Sequence, residues 1–445
     1  MLPRTLASLV VSVPLWLAAL PAQDFTAQAK ALAADLFARQ FDKVASQSTE
    51  RMAEAIPPAK LAAILDDLLA KTGPFRAIAG TRAEIQQGYH VVSVTCQFEK
   101  TSLDLRLVFD AAGKLAGMFF APSGPQAEWS APSYARPAAF EERQVVIGSG
   151  KWQLPGILTL PRGTGPFPAI VLVHGSGPHD GDETIGPNKP FKDLAWGLAG
   201  RGIAVLRYTK RTLKMAELKE PAAAGFTVKE ETVDDARAAV SLLAGAPEIR
   251  GGKIYVLGHS LGGMLAPRIA EGNGNIAGII VMAGSCRPLE QSVIEQLKYL
   301  ATLPGTDAAA AAKQIEAAER TAKEIQDLAP GSAATIDLLG SRLPGSYFLD
   351  LRSYHPAETA AGLKIPILVL QGARDYQVTL KDFDGWKAVL GGKSTATFRL
   401  YAGLTHLFMP SAAPGTGPGT PQDYARPGHV VEEVIADIAA WILEH

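Results

Sequence analysis

Short runs of apolar residues recur over the C-terminal two thirds of the chain and, after the first two, alternate with segments of helical periodicity. Each run is bounded by Gly, Pro or polar residues, which is typical of buried strands. Eight strands are predicted near residues 143–147, 154–160, 169–174, 203–208, 253–258, 277–283, 365–371 and 396–401. Strands that alternate with helices predict an α/β fold, with a mostly parallel sheet and helices on both faces.

A different pattern in residues 24–122 predicts a small α+β domain in front of this sheet. Apolar residues recur at helical spacing near 25–37 and 61–69. Three strands are expected after them, at Tyr89–Phe98, Ser102–Phe109 and Leu115–Ala121. Helices packed on a small antiparallel sheet follow from this order. Nothing in the region has a catalytic pattern, so a structural or interaction role is expected for it.

Proline and glycine mark the organisation of the rest of the chain. Residues 123–140 contain Gly124, Pro125, Pro132 and Pro137, which predict a linker into a second domain at 141–445. Between the strands ending near 283 and beginning at 365 lies an insertion, about 285–360, that is longer than an ordinary connection. Its Ala-rich centre has helical periodicity. It is expected to form a helical cap, with a peripheral helical decoration as the alternative.

The strand near 253–258 runs into Gly258-His259-Ser260-Leu261-Gly262-Gly263, and a segment with helical character follows. This is the nucleophile-elbow pattern G-x-S-x-G in the strand-to-helix context that it requires. Small residues are needed two positions either side of the serine, because a Cβ there would collide with close-packed backbone. Ser260 is therefore the predicted nucleophile.

A serine hydroxyl is a poor nucleophile at neutral pH, so the elbow predicts an acid and then a histidine further along the chain. Asp375 follows the predicted strand at 365–371, on the loop at its carboxyl end. His406 follows the last predicted strand at 396–401. Either residue alone would be interpreted as structural. Together, in this order and each just beyond a strand, they predict a Ser/Asp/His triad.

The reaction also needs backbone N–H donors for an oxyanion. The strand near 169–174 ends in the Gly-rich turn His174-Gly175-Ser176-Gly177-Pro178. One donor is assigned to the N–H of Leu261, and the other to Ser176 or its neighbour in this turn. The side chains of His174 and His259 are interpreted as structural, with no part in proton transfer.

Composition limits the partners of the protein. The chain has 445 residues, 47% of them hydrophobic, which is enough for two cored domains. A formal net charge of −1 offers no electrostatic footprint for nucleic acid, so none is expected as a partner. Two cysteines and eight histidines without metal-site spacing indicate no metal, and no organic cofactor is expected. Cys96 and Cys286 fall in different predicted domains and are expected to be separate thiols.

The first 22 residues have the pattern of a secretory signal peptide. A short positive segment precedes an apolar stretch and a Leu20-Pro21-Ala22 cleavage site. The apolar stretch is too short and too interrupted by Pro for a stable membrane span. A secreted or periplasmic location is expected, with a retained N-terminal anchor as the alternative.

These motifs together resemble the α/β-hydrolase superfamily, in particular bacterial secreted esterases and serine-aminopeptidase-like hydrolases. The resemblance covers roughly residues 140–445 through the Gly175, Ser260, Asp375 and His406 segments, and such proteins often carry a front domain like residues 24–122. It implies carboxylesterase-type chemistry. Related hydrolases commonly have Asp-Lys-Arg-Gly where this chain has Thr209-Lys210-Arg211-Thr212, and an Arg in place of Gly181. Both differences are expected to alter the rim of the pocket.

The expected reaction is the hydrolysis of small-molecule carboxylic esters through an acyl-enzyme on Ser260. A serine peptidase or aminopeptidase acting on short peptides is the nearest alternative, and a non-catalytic binding protein is another. An aminopeptidase needs an acidic pocket for the free amino terminus. Asp180, Asp182 and Glu183 are weak candidates for one, and a solvated acidic loop is the preferred interpretation of these three.

Overall fold

The computed structural model describes residues 25–86, 89–110, 112–123, 129–218, 220–304, 306–338, 341–413 and 415–445. The chain divides into two compact units, Met1–Gly124 and Pro125–His445. The expected signal peptide at residues 1–22 lies outside the described residues. Among the helices that are described, none combines the length and the apolar content needed to cross a membrane.

In its described residues, the first unit packs four helices on a four-stranded antiparallel sheet. The helices are α1 (Thr26–Phe37), α2 (Phe41–Ser46), α3 (Glu50–Ala55) and α4 (Pro58–Thr72). The strands, in the order in which they pair, are β1 (Phe75–Gln86), β2 (Tyr89–Phe98), β3 (Ser102–Phe109) and β4 (Leu115–Pro122). The apolar stripe of α1, with Leu32 and Leu36, is buried in one core with Val94 and Leu107 of the sheet. The predicted α+β arrangement is confirmed.

Strand β1 is absent from the sequence prediction. It lies at the edge of the sheet and pairs with β2 alone. Most of its side chains are exposed or half-buried, including Arg76, Ala77 and Arg82. Only Phe75 and Ile78 of the strand are seen to pack against the core, so it carries no regular apolar alternation that would mark it in the sequence.

The second unit is built on an eight-stranded sheet, and all eight of its predicted strands are present. They are β5 (Phe140–Ile147), β6 (Leu154–Pro161), β7 (Phe167–Val173), β8 (Ala204–Tyr208), β9 (Ile249–His259), β10 (Ile276–Met282), β13 (Ile367–Gly372) and β14 (Ala396–Tyr401), with a separate hairpin of β11 (Thr335–Leu338) and β12 (Ser341–Pro344). Their spatial order is β14-β13-β10-β9-β7-β8-β6-β5. The strands from β14 to β8 are mutually parallel, whereas β5 and β6 are antiparallel to their neighbours.

Helices cover both faces of this sheet. They are α5 (Pro190–Ala199), α6 (Arg211–Leu218), α7 (Asp234–Ala244), α8 (Leu261–Ala270), α9 (Leu289–Leu300), α10 (Ala308–Asp327), α11 (Gly345–Arg352), α12 (Pro356–Gly362), α13 (Leu380–Leu390) and α14 (Glu432–Glu444). Val171 and Val173 of β7 pack into the core that contains α7 and α8. Ile170 and Leu172 alternate with them and pack toward α5 and α14. The central strands are therefore buried on both sides, as their continuous apolar runs predict.

The insertion predicted at about 285–360 holds α9, α10, the β11–β12 hairpin, α11 and the beginning of α12. Helix α10 packs against α9 and α11, and Ala318, Ala322 and Ile325 form its buried face. The apolar stripe read from the sequence is thus the inner face of a helical subdomain.

Residues 129–139, which the sequence assigns to a linker, pack on the second unit. The indole N–H of Trp129 donates to Asp193 Oδ1 at 2.8 Å. The hydroxyl of Tyr134 donates to Val430 O at 2.7 Å, and the ring is buried in the α5–α14 core. Aromatic residues anchor this stretch despite its prolines.

Both cysteines are free thiols, as expected from their places in the sequence. Burial raises the pKa of the Cys96 thiol to about 12 and that of the Cys286 thiol to about 11. Both thiols are therefore protonated and unreactive near neutral pH.

Candidate active site

The parallel strands bring four loops to one edge of the sheet. Chain segments leave the carboxyl ends of β7, β9, β13 and β14 at this edge, and these are the segments that carry Ser176, Ser260, Asp375 and His406. In open parallel sheets, ligands bind where the carboxyl ends of the strands meet. All the residues predicted for the site therefore lie at the same edge.

Ser260 occupies the tight turn between β9 and α8. Its φ of 55° and ψ of −116° lie outside the regions that L-residues ordinarily adopt. Such a conformation costs on the order of 1–3 kcal/mol and is retained only where the surrounding structure enforces it. The N–H of Ser260 donates to Met282 O at 2.9 Å, which ties the turn to the neighbouring strand.

The glycines on either side of Ser260 are required by contact. A Cβ at Gly258 would overlap the carbonyl oxygen of Gly262, and a Cβ at Gly262 would overlap Val173 O at the end of β7. The atoms that would clash are backbone atoms, which cannot move aside as a flexible side chain can. The turn is closed enough to force the serine outward.

Gly258→Ala is expected to lower the free energy of unfolding by about 3 kcal/mol, because its methyl group overpacks the turn. Gly274→Ala is the matched control, since Gly274 lies in an exposed turn with nothing within 4 Å of its Cβ position. Urea denaturation of both variants measures the difference. Equal stability of the two would show that the elbow tolerates a Cβ, contrary to its geometry.

Asp375 and His406 form a buried acid–base pair. The Nδ1 of His406 lies 2.6 Å from Asp375 Oδ2, and both side chains are at most 4% exposed. A carboxylate at Nδ1 orients the imidazole and leaves Nε2 free to act as a base. The two residues are 31 positions apart in the chain and are brought together because β13 and β14 are neighbours.

The Asp375 carboxylate is itself held in place. Its Oδ1 accepts the backbone N–H groups of Gln377 at 2.7 Å and Val378 at 3.0 Å. Gln371 Nε2 donates to Oδ2 at 3.3 Å. The donors at Oδ1 turn Oδ2 toward His406, so the orientation of the acid is set by backbone groups.

The turn after β7 lies directly against Ser260. The position of a Cβ at Gly175 is 3.1 Å from Ser260 Cβ and 3.6 Å from its Oγ. The Gly175 N–H is already used, because it donates to Glu183 Oε1 at 2.8 Å. The next N–H in this turn is that of Ser176. The N–H of Leu261 is at the first position of α8, where helical N–H groups have no partner within the helix.

Three side chains donate hydrogen bonds to the backbone carbonyl groups of the turn after β7. Lys210 Nζ donates to Gly175 O at 2.6 Å, His179 Nε2 donates to Ser176 O at 2.8 Å, and Thr212 Oγ1 donates to Gly177 O at 3.0 Å. The Thr209–Thr212 segment was expected at the rim of the pocket. Instead, its Lys210 and Thr212 side chains reach the backbone of the turn.

Lys210 is almost fully buried and paired. Its Nζ lies 2.7 Å from Glu231 Oε1, and Tyr347 OH donates to Glu231 Oε2 at 2.6 Å. No sequence pattern predicted a role for these residues. For Lys210, the one feature that could have indicated a role is the Lys-Arg dipeptide that this chain shares with related hydrolases.

The acidic loop is not solvated, so that interpretation is wrong. Asp180 accepts the N–H groups of Asp182 and Thr184, as in a capped turn. Asp182 pairs with Arg207 and with Lys189, each at 2.9 Å. Burial opposes ionisation of Asp182, but these cations lower the pKa of its carboxyl. Glu183 is 1% exposed.

The two histidines of the β7 turn are neutral. Burial lowers the pKa of His174 to about 3 and also lowers the pKa of His179. His174 Nε2 donates to Asp180 O at 2.9 Å. The structural role expected for His174 agrees with these contacts. Within the described part of the chain, no three His, Cys, Asp or Glu side chains are grouped as a metal site.

Comparisons with known proteins agree with this architecture. Residues 170–416 match the model described as "Alpha/beta hydrolase family", and residues 29–118 match "Protein of unknown function (DUF3887)". The chain is 37% identical over 438 residues to Esterase EstD of Thermotoga maritima, which covers 98% of this chain and 100% of that protein.

Two solved esterases are also similar to the chain. Est1E from Butyrivibrio proteoclasticus is 16% identical with a TM-score of 0.44, covering 68% of this chain and 98% of that one. An esterase of Pyrococcus furiosus is 15% identical with a TM-score of 0.43, covering 72% and 99%. With a model match over more than half of its length and a relative at 37% identity along almost all of it, the chain belongs to the alpha/beta hydrolase family.

Proposed function

We propose that this protein hydrolyses carboxylic esters in two steps through an acyl-enzyme on Ser260. His406, oriented by Asp375, removes the proton of Ser260 as the hydroxyl attacks the ester carbonyl. His406 then protonates the leaving alcohol. A water molecule, with His406 again as base, releases the acid and restores the serine. The strained turn at Ser260, on the same edge of the sheet as the buried Asp375–His406 pair, is the observation that carries the proposal.

The tetrahedral oxyanion would be held by the N–H groups of Ser176 and Leu261. Two features support this assignment. The Gly175 N–H is committed to Glu183, and the Leu261 N–H lies at the positive end of the α8 dipole. One such donor contributes about 10²–10³ in kcat when it is preorganised.

Ester hydrolysis is favoured over aminopeptidase activity by the state of the acidic loop. An amino-terminal ammonium needs an unpaired carboxylate, but Asp182 and Glu183 already face Arg207, Lys189 and a buried histidine. The name of the relative from Thermotoga maritima, an esterase, points in the same direction. Short peptides remain the alternative substrate class.

The insertion at about 285–360 is proposed to act as a cap that shapes the substrate pocket. Its helix α9 contacts the loop that carries the acid, since Gln296 Nε2 donates to Gln377 O at 3.0 Å. The ring of Tyr376 lies between those of Tyr299 and Tyr424, and its centroid is 5.8 Å from each of theirs. A cap in this position would exclude water during acylation.

Residues 1–22 support a second, independent proposal, that the protein is exported. Their charge and apolar pattern is that of a secretory signal peptide. Amino-terminal sequencing of protein recovered from the periplasm or medium of a native-like host tests the expected cleavage after Ala22. An intact Met1 in protein recovered from the membrane fraction would instead indicate a retained anchor.

Covalent labelling tests the proposed mechanism directly. A fluorophosphonate probe is expected to label the wild-type protein at Ser260, and the label should be absent from Ser260→Ala. Tryptic peptide mass spectrometry locates the modified residue. Well-folded wild-type protein without label would favour the non-catalytic binding alternative and overturn the mechanism.

Substrate class is tested by comparing two leaving groups. Short p-nitrophenyl esters are expected to be hydrolysed with a kcat/KM far above that of aminoacyl p-nitroanilides, because Asp182 and Glu183 are already paired with cationic groups. Both products are coloured nitroaromatic compounds and are followed by absorbance. A preference for the anilides would support the peptidase alternative.

A further inference from the structure

Glu183 and His259 form a buried ion pair beside the proposed nucleophile. The Nδ1 of His259 lies 2.9 Å from Glu183 Oε2, and the side chains are 4% and 1% exposed. The contact is an ion pair, and neither of these two atoms makes a hydrogen bond among the described residues. His259 immediately precedes Ser260, so the pair is attached to the nucleophile through one peptide bond.

The same pair contacts two other loops of the site. Glu183 Oε1 accepts the N–H of Gly175 at 2.8 Å. Gly175 lies in the turn after β7 that also carries Ser176, the oxyanion turn. His259 Nε2 donates to His406 O at 3.0 Å, and the two imidazole rings are 4.6 Å apart. The chain of contacts therefore runs from the oxyanion turn, through Glu183 and His259, to the backbone of the base.

We propose that Glu183 and His259 are positioning residues, whose paired side chains hold the oxyanion turn and the His406 loop in register with Ser260. The inference rests on the proposed ester hydrolysis through Ser260. Neither side chain exchanges a proton with the substrate. Their effect is geometric, because attack requires the nucleophile, the base and the oxyanion donors within a fraction of an ångström of their productive positions.

The charge state of His259 follows from its partners. A carbonyl oxygen only accepts, so Nε2 carries a proton, and the carboxylate at Nδ1 favours a second proton there. Burial lowers the pKa of His259, but the charge of Glu183 beside it and the contact with His406 O outweigh burial and raise it. Burial likewise opposes ionisation of Glu183, and His259 holds the pKa of its carboxyl at about 2.

The other ionisable groups around the pair agree with this assignment. Asp375 adds a negative charge that favours the imidazolium, whereas Lys210, which donates to Gly175 O, is paired with Glu231. The neighbouring His174 and His179 are neutral through burial. Because its pKa is raised, His259 stabilises the fold below its unfolded pKa, and this stabilisation is lost as the pH rises through the folded pKa.

The backbone of Glu183 gives an independent indication that its side chain is needed. Its φ is 51°, in the left-handed region where Gly and Asn are the usual residues. Glycine would adopt this conformation without strain. A glutamate held there, with its carboxylate aimed at Gly175 and His259, occurs where the surrounding contacts enforce the strained conformation.

Three variants separate positioning from other roles. Glu183→Ala removes both contacts and is expected to lower kcat for a p-nitrophenyl ester by about 10²–10³-fold, the cost of a misplaced oxyanion donor, with KM within about threefold. Glu183→Gln keeps an oxygen for the Gly175 N–H and turns its amide toward Nδ1 of a neutral His259. It should therefore recover kcat to within about tenfold of wild type. Glu432→Gln, at the exposed Arg201 ion pair, is the matched control and should leave kcat unchanged.

Imidazole ¹⁵N NMR of histidine-labelled protein measures the charge state. The pH at which His259 loses its second ring proton should be higher in the wild type than in Glu183→Gln, because the glutamine carries no charge. Should Glu183→Ala fail to fold, His259→Gln provides the same kinetic test, because its amide can still donate to His406 O while Glu183 loses its partner. Lower kcat at unchanged KM is expected there too.

The outcomes distinguish this inference from the proposed function. Wild-type protein that is not labelled by the fluorophosphonate would overturn both. Labelled wild type with full kcat in the folded Glu183→Ala or His259→Gln variant would overturn the positioning role alone. So would a Glu183→Gln variant as inactive as Glu183→Ala, since charge and not hydrogen-bond geometry would then be what matters.

Discussion

Ser260→Ala is expected to lower kcat for ester hydrolysis by about 10⁶-fold, because the nucleophile of the two-step reaction is removed while the fold is left intact. The side chain is half-buried in a turn whose geometry is set by Gly258 and Gly262, so loss of the hydroxyl should leave the melting temperature close to wild type. Initial rates with a p-nitrophenyl ester, corrected for spontaneous hydrolysis, measure the loss.

The base provides the control for this result. His406→Ala should lower kcat about as much as Ser260→Ala does. The kcat of the double variant should be no lower than that of either single variant, since the two residues act as one unit. Additive losses would mean that they act in separate steps. Residual activity of several per cent in Ser260→Ala would assign the reaction to a different nucleophile.

Asp375→Asn is expected to lower kcat by about 10⁴-fold through the tautomer of His406. The N–H groups of Gln377 and Val378 both donate to Oδ1, so the amide oxygen of the introduced asparagine would stay at that position. Its NH₂ group would then face His406 Nδ1. That nitrogen would have to accept, and the proton would move to Nε2, the atom that should remove the Ser260 proton.

Asp384→Asn, at an exposed position of α13, is the matched control and should leave kcat unchanged. The thermal melts of both variants show whether the fold survives. A loss in Asp375→Asn that is smaller than about tenfold, in folded protein, would contradict the role of Asp375 in orienting the base.

The features predicted well from the sequence are those with a short-range physical signature. The central strands of the second unit are buried on both faces, so each is a continuous apolar run between breakers. The elbow at Ser260 requires small residues at fixed offsets because its backbone is closely packed. The six consecutive residues 258–263 contain this pattern. Asp375 and His406 were found because each directly follows a recognisable strand.

The features that were missed lack such a signature. Strand β1 is an exposed edge strand, and the short helices α2 and α3 carry too few apolar residues for a periodicity to be read. The acidic loop was interpreted as solvated because three acidic residues among polar and glycine neighbours usually are. The Arg207 and His259 side chains that pair with Asp182 and Glu183 come from other strands.

By itself, the sequence determined the fold class, the strand order along the chain and the identity of the three proposed reacting residues, because each is encoded by neighbours a few positions away. Only the tertiary structure decided that the Gly175 N–H is already used, which acids are paired, and that Glu183, His259 and Lys210 contact the loops of the site. The contact of Lys210 with Gly175 spans 35 positions, and that of His259 with His406 spans 147. Such contacts exist only once the parallel sheet has brought the carboxyl ends of its strands to a common edge.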